Sequence, residues 1–506
     1  MKKEGMPTDI ASLHRAVLDE ANPAVAEKQH ARGELTARER IRILLDEKSH
    51  FIEYGALAQP WGGEHAPADA LICGLGQVNG EPAVVASSDF THLGGSIGVH
   101  TARKLGRALK VAEDLTCPLF FLAEGGGGRA SETTAGFPPR REALALSRLS
   151  GRIPTVGIAF SRAFGEHTVI LGMCDTIFAT RQSVLGVAGP PFVRSAFGMK
   201  VTPQEIGAVA IHEKSGAVDF VADSDAEAIL AARAYTSLLT DKRRDYSESD
   251  ESQNARRQAL AQILPDNPRQ TFDGKSLSRL VADHDSILEL RPNFGGAILT
   301  ELARIGGRSV GIITSQSMVQ AGGLSSSAID KMVRFARLCD AFGLPLVFLV
   351  DTPGLSVGRA AEEQATFRHA MRMVHVLVHL RVAFVTVYIR KRFGAAGMIM
   401  GGEEFEPLAL ACWPSADAAG MAFGASARIV TPGDRAGSHR QAVDRDEDAD
   451  HLSDMRNYAS ALGMARRAAA DDVIDPSDTR QWLERIIAVL PDYSVPRTAS
   501  LYLDQW

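Results

Sequence analysis

The residues in this chain best placed for chemistry are small ones at the ends of apolar runs. Val382 to Ile389 is apolar and β-branched, the composition of a strand buried on both faces. After Arg390-Lys391-Arg392 comes Phe393-Gly394-Ala395-Ala396-Gly397-Met398, where no large side chain holds another molecule off the backbone. Met398 to Met400 restart the apolar pattern, so the stretch reads as strand, tight turn, helix. The first N–H groups of such a helix lack partners within it and carry the positive end of its dipole. They can hold an oxyanion. Taken alone, this is more simply the glycine turn of an ordinary α/β unit, and a second copy gives it weight. The buried run Pro118 to Ala123 leads into Glu124-Gly125-Gly126-Gly127-Gly128-Arg129, and the run Thr155 to Phe160 leads to Phe164-Gly165-Glu166-His167. In the later half the matching glycine-rich end is Asp351-Thr352-Pro353-Gly354. Two N–H groups converging from such a pair of elements make an oxyanion hole. Two pairs make two holes, suited to a reaction that develops negative charge on two different oxygens.

The elements that must position these turns repeat along the chain. Asn79-Gly80 aligns with Gly306-Gly307 at an offset of 227, and Ser88 with Ser315, Gly95 with Gly322, Lys104 with Lys331 and Pro118–Glu124 with Pro345–Asp351 keep that offset. It slips to 229 where Phe164-Gly165 aligns with Phe393-Gly394. An offset held over about 80 residues predicts two domains of one fold. Each begins with a hairpin, in the first half Ala70–Val78 and Pro82–Ser87 about Asn79-Gly80. A glycine loop at Gly94-Gly95 then leads into a helix over Val99–Leu115, and alternating apolar strands and helices predict parallel sheets covered by helices. Residues 8–48 are helical and charged, with Thr36 and Glu39 as a capping box; this arm reads as a surface helix. The polar tract 240–258 and the prolines beyond it mark the divide, giving domains 1–255 and 256–506. Residues 432–454 read as a solvated loop.

Composition narrows the function. At 506 residues two large domains are expected. A net charge of -6 and a pI near 6.2 give no basic field, which excludes nucleic acid as the expected partner. Five scattered cysteines without a CxxC pair predict buried thiols in a reducing cytosol. Met1–Gly5 leads into no apolar segment and no 18-residue apolar run follows, so the expectation is a cytoplasmic protein off the membrane. No Ser/His/Asp or metal-ligand spacing stands out, and no metal is expected.

At a further set of residues the sequence resembles the carboxyltransferase (beta) subunits of biotin-dependent acyl-CoA carboxylases, of the propionyl-, acetyl- and methylcrotonyl-CoA carboxylase type in the crotonase superfamily. The marks are Lys28-Gln29-His30-x-Arg32-Gly33-x-Leu35-Thr36-Ala37-Arg38-Glu39-Arg40-Ile41 and Asp89-Phe90-Thr91-x-x-Gly94-Gly95-Ser96. Later come Arg334-Phe335-x-Arg337-x-Cys339-Asp340-Ala341-Phe342, Val350-Asp351-x-Pro353-Gly354, Arg368-His369 and Arg390-Lys391-x-Phe393-Gly394. Trp413-Pro414 and Asp471-Asp472-Val473-Ile474-Asp475-Pro476-Ser477-x-Thr479-Arg480 complete the set, in order over nearly the whole chain.

The resemblance implies an α/β fold of two tandem crotonase-like (ClpP/crotonase ββα spiral) domains related by duplication. It implies an enzyme that moves CO2 from carboxybiotin to the α or vinylogous carbon of an acyl-CoA. The N-terminal domain is the acyl-CoA side: Gly165 and Glu166, with Gly127 and Gly128 opposite, hold the thioester oxygen. The C-terminal domain is the biotin side: Ala395 and Ala396, with Gly354 opposite, hold the ureido oxygen. Gly125, Gly126, Arg129, Phe393, Gly394, Gly397 and Met398 are the expected binding residues around them. Coenzyme A arrives as part of the substrate. Biotin arrives on a biotin carboxyl carrier subunit served by a biotin carboxylase subunit, since this chain has neither an Ala-Met-Lys-Met context at Gly198-Met199-Lys200 nor a phosphate loop. Homo-oligomers are implied, often hexamers as trimers of dimers. Glu166 and Met398 depart from the family, which has a second small residue at the first and, in propionyl-type members, Asp at the second. Met398 suits a less polar acyl group. Glu166 supports a second reading, a biotin-independent decarboxylase, hydratase or isomerase using Glu166 and His167 as acid and base. A third is a non-catalytic CoA-binding scaffold, against which the intact Phe393-Gly394-Ala395-Ala396 turn speaks.

Overall fold

The computed structural model describes residues 9–61, 63, 65–133, 142–421, 453–493 and 503; Met1–Gly5 and almost all of the tract 432–454 lie outside them. Two compact units form, Met1–Ser237 with Arg497–Gln505 and Leu238–Pro496 with Trp506. The contact division falls between Ser237 and Leu238, ahead of the polar tract where the domain divide was expected. That tract holds a helix, Asp250–Ala261, begun by Ser249, whose side chain accepts from Ser252 N–H. Leu260 is its one buried residue, which is why the stretch shows no apolar period.

The first unit is built on β1 (Ile52–Glu53), β2 (Leu71–Val78), β3 (Glu81–Ser88), β4 (Leu119–Gly125), β5 (Thr155–Phe164), β6 (Thr176–Thr180), β7 (Val184–Gly186) and β8 (Phe220–Ala222). Their order is β1-β2-β3-β4-β5-β6-β8, with β7 also on β5. β2 and β3 form the expected antiparallel hairpin. Asn79 and Gly80 both have positive φ there, 55° and 83°, the geometry that a two-residue hairpin turn requires. From β3 to β8 the pairings are parallel. The core lies between the sheet and its helices, with Val84, Phe121, Leu105, Leu109, Leu146 and Ile170 among its buried residues.

The second unit repeats this plan with β9 (Leu288–Glu289), β10 (Ile298–Ile305), β11 (Arg308–Ser315), β12 (Leu346–Thr352), β13 (Phe384–Phe393), β14 (Ala409–Cys412), β15 (Asp417–Ala419) and β16 (Asp472–Val473). β2, β3, β4 and the helix Val99–Leu115 map onto β10, β11, β12 and the helix Ser326–Phe342 at an offset of 227, end for end. β5 maps onto β13 at 229. The repeated lysines occupy matching places. Lys104 Nζ donates to the Leu71 carbonyl at the start of β2, and Lys331 Nζ to the Ile298 carbonyl at the start of β10, at 2.7 Å. Burial of Lys331 pushes its ammonium down to about 8. All five cysteines are buried thiols. Among the described residues no helix is long and apolar enough to cross a membrane, and no cluster of three or more His, Cys, Asp or Glu is placed to hold a metal.

Candidate active site

Strand register sets both candidate holes. β4 and β5 run parallel, and after a bulge their last pair is Gly125 with Ala163. Two residues on, the chains reach Gly127 and Gly165. In the second unit the pair is Thr352 with Arg392, and two residues on lie Gly354 and Gly394. Adjacent strands are about 4.8 Å apart, so each glycine turn comes up beside the start of a helix, Glu166–Met173 in one unit and Gly394–Ile399 in the other. The approach in the first unit is close. A Cβ added to Gly127, whose φ is +92°, would lie 3.0 Å from the Phe164 carbonyl oxygen and 3.4 Å from the Glu166 nitrogen. Only glycine fits that crossing. The same atom on Gly354 would meet nothing within 4 Å, so the second site is the more open.

Which N–H groups face outward follows from the bonds already made. Gly127 N–H donates to His167 Nδ1 at 3.3 Å, and Gly165 N–H to the Gly186 carbonyl at 3.0 Å. Both are therefore engaged within the fold, and the next residue in each turn is Gly128 or Glu166. Gly128 is exposed and its N–H has no acceptor among the described residues. The second unit behaves alike. Gly354 N–H leans toward Thr352 Oγ1 at 3.4 Å, and the equivalent of Gly128 is Leu355, which sequence reasoning missed because its side chain does not look like a cleared approach. The backbone bridges Ile97–Gly128 and Leu324–Leu355 are the structural sign of that equivalence. Ala395 is exposed and Ala396 buried, and the N–H groups of both have no acceptor among the described residues.

The expected binding residues divide. Gly126 is exposed, its N–H bonded to the Gly94 carbonyl, and an added Cβ there would meet nothing; it can border a ligand. Gly394, with φ +56°, and Met398 are partly exposed at the second site. Gly125 and Gly397 are glycine for packing, because a Cβ would lie 2.4 Å from His167 Cε1 or 2.8 Å from Arg392 Cγ. Phe393 is buried in β13, paired with Ala419. Arg129 is buried too, its guanidinium bonded to Asp69, Glu132, and the carbonyl and hydroxyl of Ser96. It clamps the loop below the glycines.

His167 is fully buried, with Nδ1 3.3 Å from the Gly127 nitrogen and Nε2 3.0 Å from Ser88 Oγ, and the Phe164 carbonyl is a further partner of its ring. Burial pushes this imidazole down to about 4, which removes it as a general acid–base partner of Glu166. Between pH 6.5 and 4 the unfolded chain takes up a proton here that the folded chain does not, so acid destabilises the fold across that window. The difference is about 3 kcal/mol in all. Gln in its place keeps an acceptor but does not titrate. The melting temperature of His167→Gln relative to the native chain should therefore rise steadily from pH 6.5 to 4; a flat difference would contradict the assignment.

A buried network backs the first hole. Arg40 reaches Glu124 with Nη1 at 2.5 Å and Asp225 with Nε at 2.8 Å, and Gln29 donates to both Glu124 oxygens. The capping box of Thr36 and Glu39 starts the helix that carries Arg40.

The two register-matched turns lie on a duplicated α/β scaffold, each beside the start of a helix. The carboxyl transferase domain model matches residues 28–499, and the chain belongs to that family of carboxyltransferases. It is 31% identical to the methylmalonyl-CoA carboxyltransferase 12S subunit of Propionibacterium freudenreichii subsp. shermanii, over 98% of this chain and 95% of that one. It is 29% identical to the propionyl-CoA carboxylase beta chain of Roseobacter denitrificans, over 92% of each. Among solved structures, transcarboxylase 12S, described as a hexamer with methylmalonyl-CoA and methylmalonic acid bound, superposes with a TM-score of 0.87 at 27% identity, over 98% of this chain and 99% of that one.

Proposed function

We propose that the chain is the carboxyltransferase subunit of an acyl-CoA carboxylase, moving CO2 from carboxybiotin on a separate carrier subunit to the α carbon of an acyl-CoA. The observation that carries this is the duplicated hole: one reaction with two oxyanions needs two, and each unit places its turn at the same register. In the first unit Gly128 and Glu166 hold the thioester oxygen, stabilising the enolate formed as the α proton leaves. In the second, Leu355, Ala395 and Ala396 hold the ureido oxygen of biotin, which supplies the CO2 and, once CO2 has left, the base. Small side chains and a partly exposed Gly394 leave room there for a planar ring. The biotin carboxylase and carrier are separate partners, the subunit is a homo-hexamer, and its place is the cytoplasm.

Incubating the chain with carboxybiotin and a panel of CoA esters should yield malonyl-type products, with none in the absence of biotin. Turnover of an acyl-CoA without biotin would replace this reading with the acid–base chemistry of Glu166. Glu166→Gly sharpens the test because it keeps the N–H and removes only the carboxylate. Activity should hold or rise, and a collapse in a folded variant would overturn the assignment.

A further inference from the structure

The helices Glu142–Leu149 and Glu166–Met173 follow β4 and β5 in the chain. Since β4, β5 and β6 are parallel, each helix runs back from the strand ends where the first hole lies. Glu142 and Glu166 open their helices at that end. Between the helices is a cavity of about 320 Å³, walled by Ala143, Leu146, Val169, Ile170 and Met173, with Glu142 and Glu166 also on its surface. Glu166 also belongs to the hole, so the cavity begins beside the place assigned to the thioester. From Glu166 to Met173 the helix rises about 10 Å, the reach of an acyl chain of medium length.

The wall is apolar except for its carboxylates, and Glu142 is out of keeping with it. It is 8% exposed, and Oε2 has no hydrogen-bond partner among the described residues. A buried polar atom left so is costly. A purely hydrocarbon chain would enclose it further and leave it unbonded, whereas a hydroxyl would satisfy it. A second carboxylate would be repelled.

We propose that this cavity is the acyl pocket of the first hole, and that it selects an acyl-CoA whose chain carries a hydroxyl near the thioester, donated to Oε2 of Glu142. The inference rests on the reading that the acyl-CoA binds at this hole, yet binding can be measured apart from carboxyl transfer. Calorimetric titration of the full chain with butyryl-, 3-hydroxybutyryl-, octanoyl- and 3-hydroxyoctanoyl-CoA should show the hydroxylated member of each pair binding about tenfold tighter or more. Glu142→Leu should bring that ratio to one, and Glu142→Gln, which retains an acceptor, should restore part of it. Ala143→Trp should fill the cavity and weaken the octanoyl esters far more than acetyl-CoA. A ratio near one in the native chain, or one that survives Glu142→Leu, overturns the proposal. Carboxyl transfer from carboxybiotin to acetyl-CoA and to the four esters, assayed in parallel, separates the two readings. Absence of transfer to every ester of the panel with the ratio intact sinks the carboxylase function alone, and transfer with a ratio near one sinks the pocket alone.

Discussion

Carboxyl transfer in Ala395→Pro should fall about a hundredfold or more, since one oxyanion donor contributes about 2.7–4 kcal/mol to the barrier. Proline removes the N–H without adding a polar group. Ala395 suits the test better than Ala396, although both are candidate donors, because the Ala396 side chain is fully buried and that of Ala395 is exposed. Ala395 is the second residue of its helix, where no intrahelical bond is lost. The acyl-CoA is assigned to the other unit, so its dissociation constant should hardly change. A large loss of acyl-CoA affinity, or undiminished transfer from carboxybiotin, would show that this turn does not serve the biotin oxygen.

Much of this geometry was legible in the sequence because duplication left two readings of each element. Positions kept at an offset of 227, such as Gly95 and Gly322 or Lys104 and Lys331, identified turns and helices that one copy alone would leave ambiguous. The helix Val99–Leu115 and the hairpin about Asn79-Gly80 came out where periodicity and turn chemistry placed them. The identity of the donors was less legible. Which N–H of a glycine run faces outward depends on bonds made by residues distant in sequence, and Gly186 and His167 take the Gly165 and Gly127 N–H groups. No local pattern announces that, nor that Leu355 replaces a glycine at an outward position. Several family marks also proved to be structural. Trp413 Nε1 donates to Thr479 within the second core, Arg390 pairs with the buried Asp351, and Arg480 with Asp283. The charged arm looked like solvated surface because its ion partners, Glu124 and Asp225, lie 84 and 185 residues from Arg40.

That arm carries the largest stability effect expected of a single change. Arg40→Met should destabilise the first unit by about 3–5 kcal/mol, the cost of leaving buried carboxylates without their cation. Arg40 and Glu124 are each 1% exposed in their side chains and Asp225 4%, so water cannot take over the lost bonds. The guanidinium also sits 4.1 Å from the centroid of the Phe160 ring, a contact that methionine only partly replaces. In calorimetry the transition of the first unit should drop by about 10 °C. Adding Glu124→Gln and Asp225→Asn to Arg40→Met should recover most of the loss, because neutral amides need no counter-charge. Glu124 is the residue just before the glycine run, so the single variant should also lose carboxyl transfer below its melting point, as Gly128 shifts out of line with Glu166. Unchanged melting would mean that the arm is a surface helix after all. A loss of stability that the neutralised triple variant does not recover would place the effect in packing against Phe160, not in the ion pairs.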